Sequence, residues 1–385
     1  MKKRGCILIV LCLANIIINT GCWNYREINN LSIVSGVAVD KNEDGKYRIT
    51  TEIVDLHEGG KDAGIKSKKL ESYGDTLFDA VRNTLEVTAG KLYWGHVEIV
   101  IFSQDVAKEG VVQFMDFLVR DSEPRQSVDI LISREKTAGE IFNFESSTTE
   151  IRSHEINEML DTQKNLSKTT KVQVYEFINA LSDEGICAVM PVVGSIVNEG
   201  KKDLELSGTA VFKQDKLVYM LNGDETKLFL YVMDKIKGGL LIIKDTTVKN
   251  KNSKLTLEII KSKTKIKPVF IKGKLTMNID IETKAALGQE GESERRYNEK
   301  INLMLQKDAE ETLKRDIENL ITNVKKNTDS DIFGFGRVIM KDKPDLWKKI
   351  GADWDDTFKK LDVKLNIDVD IQNSGLMSTP IRIGD

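Results

Sequence analysis

Histidine occurs three times, proline five times and cysteine four times in 385 residues, and aromatic side chains make up only 6%. Five prolines beside 27 glycines exclude collagen-like and proline-rich architectures. So few aromatics argue against a membrane barrel with aromatic girdles. Neither sign of charge is in excess: 57 Lys and Arg face 60 Asp and Glu, a net charge of −3, which leaves no electrostatic footprint for a phosphate backbone and excludes nucleic acid as a partner. The longest apolar run, Cys6–Ile18, has 13 residues and is interrupted by Asn15. A helix crossing the bilayer needs about 20. What is present is 40% hydrophobic and 30% charged residues, enough to bury substantial cores. The expected class is a mixed α/β (α+β) globular protein.

The N-terminus has the grammar of an export signal: Lys2, Lys3 and Arg4, then the short apolar run, then Asn19-Thr20-Gly21-Cys22. That ending resembles the lipobox of bacterial lipoproteins, in which small residues precede a cysteine that is diacylated on sulfur before cleavage. Cys22 is then the first mature residue and the lipid acceptor, with a diacylglyceryl and N-acyl lipid as its only non-protein group; an uncleaved signal anchor is the alternative. Asn19 stands where an aliphatic residue is usual. Loss of residues 1–21 removes three cations and no acid, so the mature charge is −3 − 3 = −6. Cys6 and Cys12 leave with the signal, and Cys187 is the remaining thiol. It can form neither an intramolecular disulfide nor a cysteine zinc site, and its apolar neighbours Ile186, Ala188 and Val189 mark it as a core residue.

Beyond residue 22 the pattern divides into three packed domains. In residues 22–145, β-branched runs at Leu31–Val39 and Tyr47–Val54 flank an Asn-Glu-Asp-Gly turn and predict a hairpin. Gly59–Lys69 reads as a polar loop. A helix capped near Asp75 or Thr76 carries Leu77, Val81 and Leu85 on one face; a strand at His96–Phe102, a helix through Val106–Leu118 and a strand at Ser127–Ser133 follow. Residues 146–245 form a middle mixed domain: two helical segments, strands at Ala188–Val197, Leu204–Phe212 and Lys216–Leu221, and a helix from Thr226 to Lys237 that ends at Gly238-Gly239. Residues 246–385 open with alternating strands between Leu255 and Ile281. They continue in one long amphipathic helix, Glu292–Asn327, whose stripe is Ile301, Leu305, Ala309, Leu313, Ile317 and Val324. At ~1.5 Å per residue that helix spans about 54 Å, and a break or bend is expected. A final strand covers Val363–Ile371.

Catalytic constellations are missing. His57 lies beside a glycine loop, His96 opens a strand, and His154-Glu155 has no second zincin histidine, so no metal site is expected. No GxSxG elbow or phosphate-cradling loop occurs. Gly334-Phe335-Gly336 lacks the third glycine of a dinucleotide fingerprint, and Asp353, Asp355 and Asp356 around Trp354 suit a solvated helix start better than a calcium loop.

Several ordered segments together resemble the Ger(x)C family, the lipoprotein C subunit of spore germinant receptors. Cys22-Trp23-Asn24-Tyr25-Arg26-Glu27-Ile28 is similar to its mature opening, Ser207-Gly208-Thr209-Ala210-Val211-Phe212 with Asp215-Lys216-Leu217 to its central hairpin, and Asp331-Ile332-Phe333-Gly334-Phe335-Gly336 with Pro344, Trp347 and Trp354 to its C-terminal signature. Tyr219-Met220 departs from it where a glycine is expected. The resemblance implies a non-enzymatic protein of three α/β domains, lipid-anchored on the outer face of the spore inner membrane. It further implies partnership with two integral-membrane subunits, A-type and B-type, and a role in nutrient-triggered germination.

Read as chemistry, Gly208, Gly334 and Gly336 are backbone devices, and Phe333, Phe335, Trp347 and Trp354 are core. Trp23, Tyr25 and Arg26 lie close to the lipid and suit headgroups or a partner's loop, with packing on the first domain as the alternative. The competing reading is a lipid-anchored extracytoplasmic solute-binding protein, which would show two similar doubly wound lobes around a deep cleft; the receptor reading expects no tight nutrient site.

Overall fold

The structure, a computed structural model, describes Gly5 and residues 31–56, 65–88, 90–121, 123–144, 149–244, 246, 254–289 and 299–372. Its first half is built on alternation. Strands β1 (Leu31–Lys41) and β2 (Tyr47–Leu56) pair antiparallel around a turn in which Gly45 takes φ +79°. Part of the segment expected as a loop is strand: β3 (Ile65–Gly74) lies along β2, at the edge of the sheet. Leu70 and Ser72 turn inward while Lys66, Lys68 and Lys69 turn out, so an apolar pattern is almost absent. Outward lysines on an edge strand also discourage pairing with another chain.

Helix α1 (Leu77–Asn83) starts where expected, with Thr76 Oγ1 accepting the Asp79 amide at 3.1 Å. It stops earlier than its apolar spacing suggests, and Leu85 is 52% exposed. After β4 (Lys91–Tyr93) and β5 (Ile99–Phe102), the single expected helix is two, α2 (Gln104–Glu109) and α3 (Val112–Arg120), because Gly110 breaks the chain at φ +132°. Strand β6 (Asp129–Ser133), helices α4 (Arg152–Thr162) and α5 (Val174–Leu181), and strands β7 (Val189–Asn198), β8 (Lys201–Lys213) and β9 (Lys216–Leu221) complete this part.

All nine strands belong to one sheet, ordered β3-β2-β1-β5-β6-β7-β8-β9 with β4 beside β1. The strands β1, β5, β6 and β7 run parallel, and antiparallel hairpins extend both sides. The boundary expected between residues 145 and 146 therefore cuts through a continuous sheet, since β6 pairs with β7 at Ile132–Val192 and Ser133–Val193. The change in periodicity there marks two helices crossing over the sheet, and periodicity reports element type without reporting which strands pair. Both faces are covered. Val100, Phe102, Ile130 and Ile132 pack under α1, α2, α3 and α5, while Ile99, Ile101 and Leu131 pack under Phe142 and α4.

Two strand carboxylates fasten these layers. Asp40 on β1 accepts the amides of Ala138 at 2.6 Å and Gly139 at 3.0 Å, and Glu52 on β2 accepts the amides of Arg152 and Ser153 at 2.9 and 2.8 Å at the start of α4. Gly208 has φ +108° within β8, at a bulge where Ser207 and Gly208 lie opposite Val192.

Helix α6 (Gly223–Val232) starts earlier than expected because Asn222 and Glu225 form a capping box. The second sheet follows, ordered β10 (Leu240–Lys244), β11 (Lys254–Ile271), β12 (Lys274–Gln289) and β13 (Asp362–Gln372), with the last two parallel. The expected strands Leu255–Ile260 and Lys263–Ile271 are one strand, shifted in register between Ile259 and Lys261. Helix α7 (Glu299–Asn327) lies on one face and runs without a break through its described 29 residues. Short helices α8 (Phe335–Asp342), α9 (Pro344–Ile350) and α10 (Trp354–Lys360) close the end of the sheet. The described residues thus hold two sheets, where three domains were expected.

The stripe of α7 is the core of the second unit: Leu305, Ala309, Leu313, Ile317 and Val324 are each fully buried against Leu257, Ile279 and Leu365. Leu305→Asp therefore places a carboxylate in that core without a partner, and we expect a loss above about 4 kcal/mol, comparable with a domain's whole margin. Glu311 is exposed and pairs with Lys307 at 3.8 Å, so Glu311→Lys is expected to cost below about 0.5 kcal/mol. Thermal unfolding of the two variants checks this, and a normal melting temperature for Leu305→Asp refutes the core assignment.

Candidate functional site

Cys22, Trp23, Tyr25 and Arg26, the residues singled out near the lipid, lie outside the described residues, as does His57. Among the described residues no group of three or more His, Cys, Asp and Glu side chains is placed to hold a metal ion, and no helix is long and apolar enough to cross a membrane. The geometry that stands out is the seam between the two sheets, where the Asp331–Gly336 segment meets the approach to β7.

Asp331 is buried among apolar rings. Its Oδ1 accepts the Phe333 amide at 3.1 Å, and its Oδ2 accepts the Gly336 amide at 2.8 Å and the Trp354 indole N–H at 3.2 Å. Burial pushes its pKa up to about 6, opposed by these N–H groups, of which the amides face it from the positive start of α8. Its backbone carbonyl accepts the Cys187 amide at 2.7 Å, and Gly185 O accepts the Arg337 amide at 2.9 Å. Arg337 Nε also reaches Asp183 Oδ2 at 2.8 Å. The glycines permit this contact. A Cβ on Gly185 would lie 2.3 Å from the Arg337 nitrogen, and one on Gly336 would lie 2.8 Å from the Trp354 ring. Gly334 adopts φ +68° to start α8. Phe333 stacks on Phe335 with centroids 5.3 Å apart, and Trp347 tilts against Trp354 at the same separation, which places the aromatic residues of this segment in the core as expected. Asp355 and Asp356 occupy the first turn of α10, the helix-start role assigned to them.

Beside this seam lies a cleft of about 600 Å³. The first unit supplies the end of α4, the 163–172 segment and Phe177 and Ala180 of α5; the second supplies Phe229, Leu230 and Met233 of α6, Lys235, Lys237, Ile332 and Arg337. Cys187, expected in the core, is half-buried and lines this cleft. Burial, with the nearby Asp331 charge, pushes its thiol up to about 11, so it is a neutral, weakly nucleophilic group. Behind the wall Lys171 bridges Asp161 at 2.6 Å and Asp129 at 3.2 Å, and burial raises Asp129 to about 6 against the pull of Lys171.

The Asp331 segment is the backbone and core device its glycines and aromatics imply, while the role of its carboxylate goes beyond that pattern. An acid leading a run of Ile, Phe and Gly is the signal that could have found it. No such signal exists for the cleft, whose walls come from segments far apart in the chain.

Comparison with known proteins fits this architecture. A family described as "Spore germination protein N-terminal domain" matches residues 24–195, and one described as "Spore germination B3/ GerAC like, C-terminal" matches residues 207–375. The chain belongs to the Ger(x)C family of spore germination proteins. It is 25% identical to "Spore germination protein KC" of Bacillus subtilis (strain 168) over 98% of both chains, and 26% identical to "Spore germination protein B3" of the same organism over 92% of this chain and 94% of that one. The crystal structure of the GerBC protein shares the fold, with a TM-score of 0.56 at 23% identity over 90% of this chain and 99% of that one.

The seam predicts its own sensitivity. Asp331→Asn leaves an N–H₂ group facing N–H donors, and we expect a cost of about 2–4 kcal/mol in denaturant unfolding. The folded pKa lies above the unfolded value. The wild-type carboxyl therefore stabilises most below about pH 4 and loses part of that contribution as pH rises towards 6. The cost of the substitution should accordingly be smaller at pH 8 than at pH 5 by about 1 kcal/mol. An equal cost at both values excludes the raised pKa.

Proposed function

We propose that this protein is a lipid-anchored, non-enzymatic subunit of a spore germinant receptor, acting in nutrient-triggered germination. Cys22 carries the lipid, the folded body stands on the outer face of the spore inner membrane, and two integral-membrane subunits of A-type and B-type are its partners. The observation that carries this reading is the extent of the family match, which begins at residue 24, two residues after the candidate acyl acceptor, and runs through both units. Family membership supports the germination role. The lipid supplies what the body lacks, because among the described residues no helix can cross the bilayer.

The architecture weighs against the solute-binding alternative. One unit is a nine-stranded sheet covered on both faces and the other a four-stranded sheet with a helix on one face, so the two are not similar lobes. Trp23, Tyr25 and Arg26 follow the lipidated residue directly, and an aromatic pair with a cation there suits the headgroup layer or a partner's loop.

Each buried methylene of an acyl chain contributes about 0.8 kcal/mol, so a diacylglyceryl group retains the protein where a bare N-terminus cannot. Cys22→Ala is expected to release the chain from spore membranes or to leave an uncleaved precursor, and to impair germination. Fatty-acid labelling of spores with fractionation reads the first outcome, and nutrient-triggered loss of refractility reads the second. A wild-type protein that takes no label and begins at another residue overturns the anchor. Wild-type germination with the variant free in the supernatant overturns the membrane-bound role.

A further inference from the structure

The cleft at the seam contains polar groups that have no partner among the described residues. Thr170 is 7% exposed and its hydroxyl has no hydrogen-bond partner among the described residues; Gln163 Oε1, buried in the same wall, has none either. Orphaned buried polar atoms cost on the order of 1–3 kcal/mol each, and a ligand that satisfies them recovers that cost. The neighbouring hydroxyls are already engaged, Thr169 to Gly208 O at 3.0 Å and Ser167 to Gly238 O at 2.8 Å, which leaves Thr170 and Gln163 as the free pair.

Charge at the mouth is one-sided. Lys164, Lys235 and Lys237 line the cleft without an acidic partner among the described residues. The two acids of the lining are occupied: Asp161 holds Lys171, and Glu176 accepts the Gln173 amide at the start of α5. Arg337 is held by Asp183. Between these polar ends the wall is apolar and includes Phe177, Phe229, Leu230 and Met233. A volume of about 600 Å³ lies within the range of small-molecule sites, which favour boundaries between folded units.

We propose that this cleft is a binding site for a small organic acid with an apolar body and a hydroxyl or N–H group. Its acidic group meets Lys164, Lys235 and Lys237, which have no acidic partner among the described residues, its body lies along the apolar wall, and rotation of the Gln163 and Thr170 side chains, whose oxygens are closed off in the free cleft, brings them to its donor. A ligand there touches both units at once, so its binding bears on how firmly they are held together. The assignment is independent of the lipid anchor.

A probe with this chemistry is 6-hydroxy-2-naphthoate, titrated by calorimetry into the full chain in non-ionic detergent, with detergent alone as the blank. We expect one saturable site with Kd below about 100 μM. The neutral amide of the same probe should bind at least about tenfold more weakly, as should the acid to the Lys235→Gln/Lys237→Gln double variant, whose exposed positions leave the melting temperature unchanged. Thr170→Val should weaken binding while raising thermal stability, since it removes an orphaned hydroxyl. Ala180→Trp, which fills the cleft from the surface of α5, should abolish binding in a protein that still melts cooperatively. Absence of saturation at millimolar probe, or an affinity that neither the lysine variant nor the filled cleft changes, overturns the site.

Discussion

A carboxylate taken out of water demands compensation, and in this protein the compensation organises the seam between the two sheets. Asp331 accepts hydrogen bonds from the Phe333 and Gly336 amides and the Trp354 indole, so the direction of α8 and the placement of α10 both bear on satisfying one buried carboxyl, and the Gly185–Arg337 backbone contact lies directly beside it. If α10 shifts, the indole leaves the carboxylate. If the Gly185 turn shifts, the Arg337 amide and the Asp183–Arg337 pair are lost together. The walls of the cleft contain Ile332 and Arg337 and inherit their positions from the same node.

The first sheet uses the same chemistry twice more. Asp40 and Glu52 sit inside strands, where an apolar residue would serve burial, and each instead collects backbone amides from a segment about a hundred residues away, at separations of 98 to 101. Glu52 stands in for a missing local cap at the start of α4, whose own N-cap residue, Ile151, has no side chain to offer. Helix position on the sheet is thereby fixed by hydrogen bonds with direction, which apolar packing alone does not supply.

How much of this was legible follows from the range of the forces involved. Caps, turns and apolar stripes are local, so the Thr76 cap, the stripe of α7, the glycines of the Asp331 segment and the final strand were readable in residues a few positions apart. β3 was missed because an edge strand has little to bury and is written in lysines. The break at Gly110 was missed because the flanking apolar residues fit one helix as well as two. Pairing of β6 with β7 across α4 and α5 left no local trace, so a continuous sheet read as two domains. The resemblance of the Ser207–Phe212 and Asp331–Gly336 segments to a known family carried further than periodicity could. The cleft stayed invisible because Gln163, Thr170, Lys235 and Lys237 form no motif until the chain is folded.

The parallel pairing of β12 with β13 has a consequence for how the molecule is made. Thr276 pairs with Asp362 and Ala286 with Gln372, so the second sheet cannot be completed until the chain has been delivered through residue 372. The Asp183–Arg337 contact, 154 residues apart in sequence, likewise waits for a segment made long after its partner. Contacts of such long range are slow to form. A chain emerging N-terminus first would therefore have its first sheet able to assemble while the apolar faces of β10, β11 and β12 wait for α7 and β13. During that interval its half-formed second sheet is the part most in need of protection from aggregation.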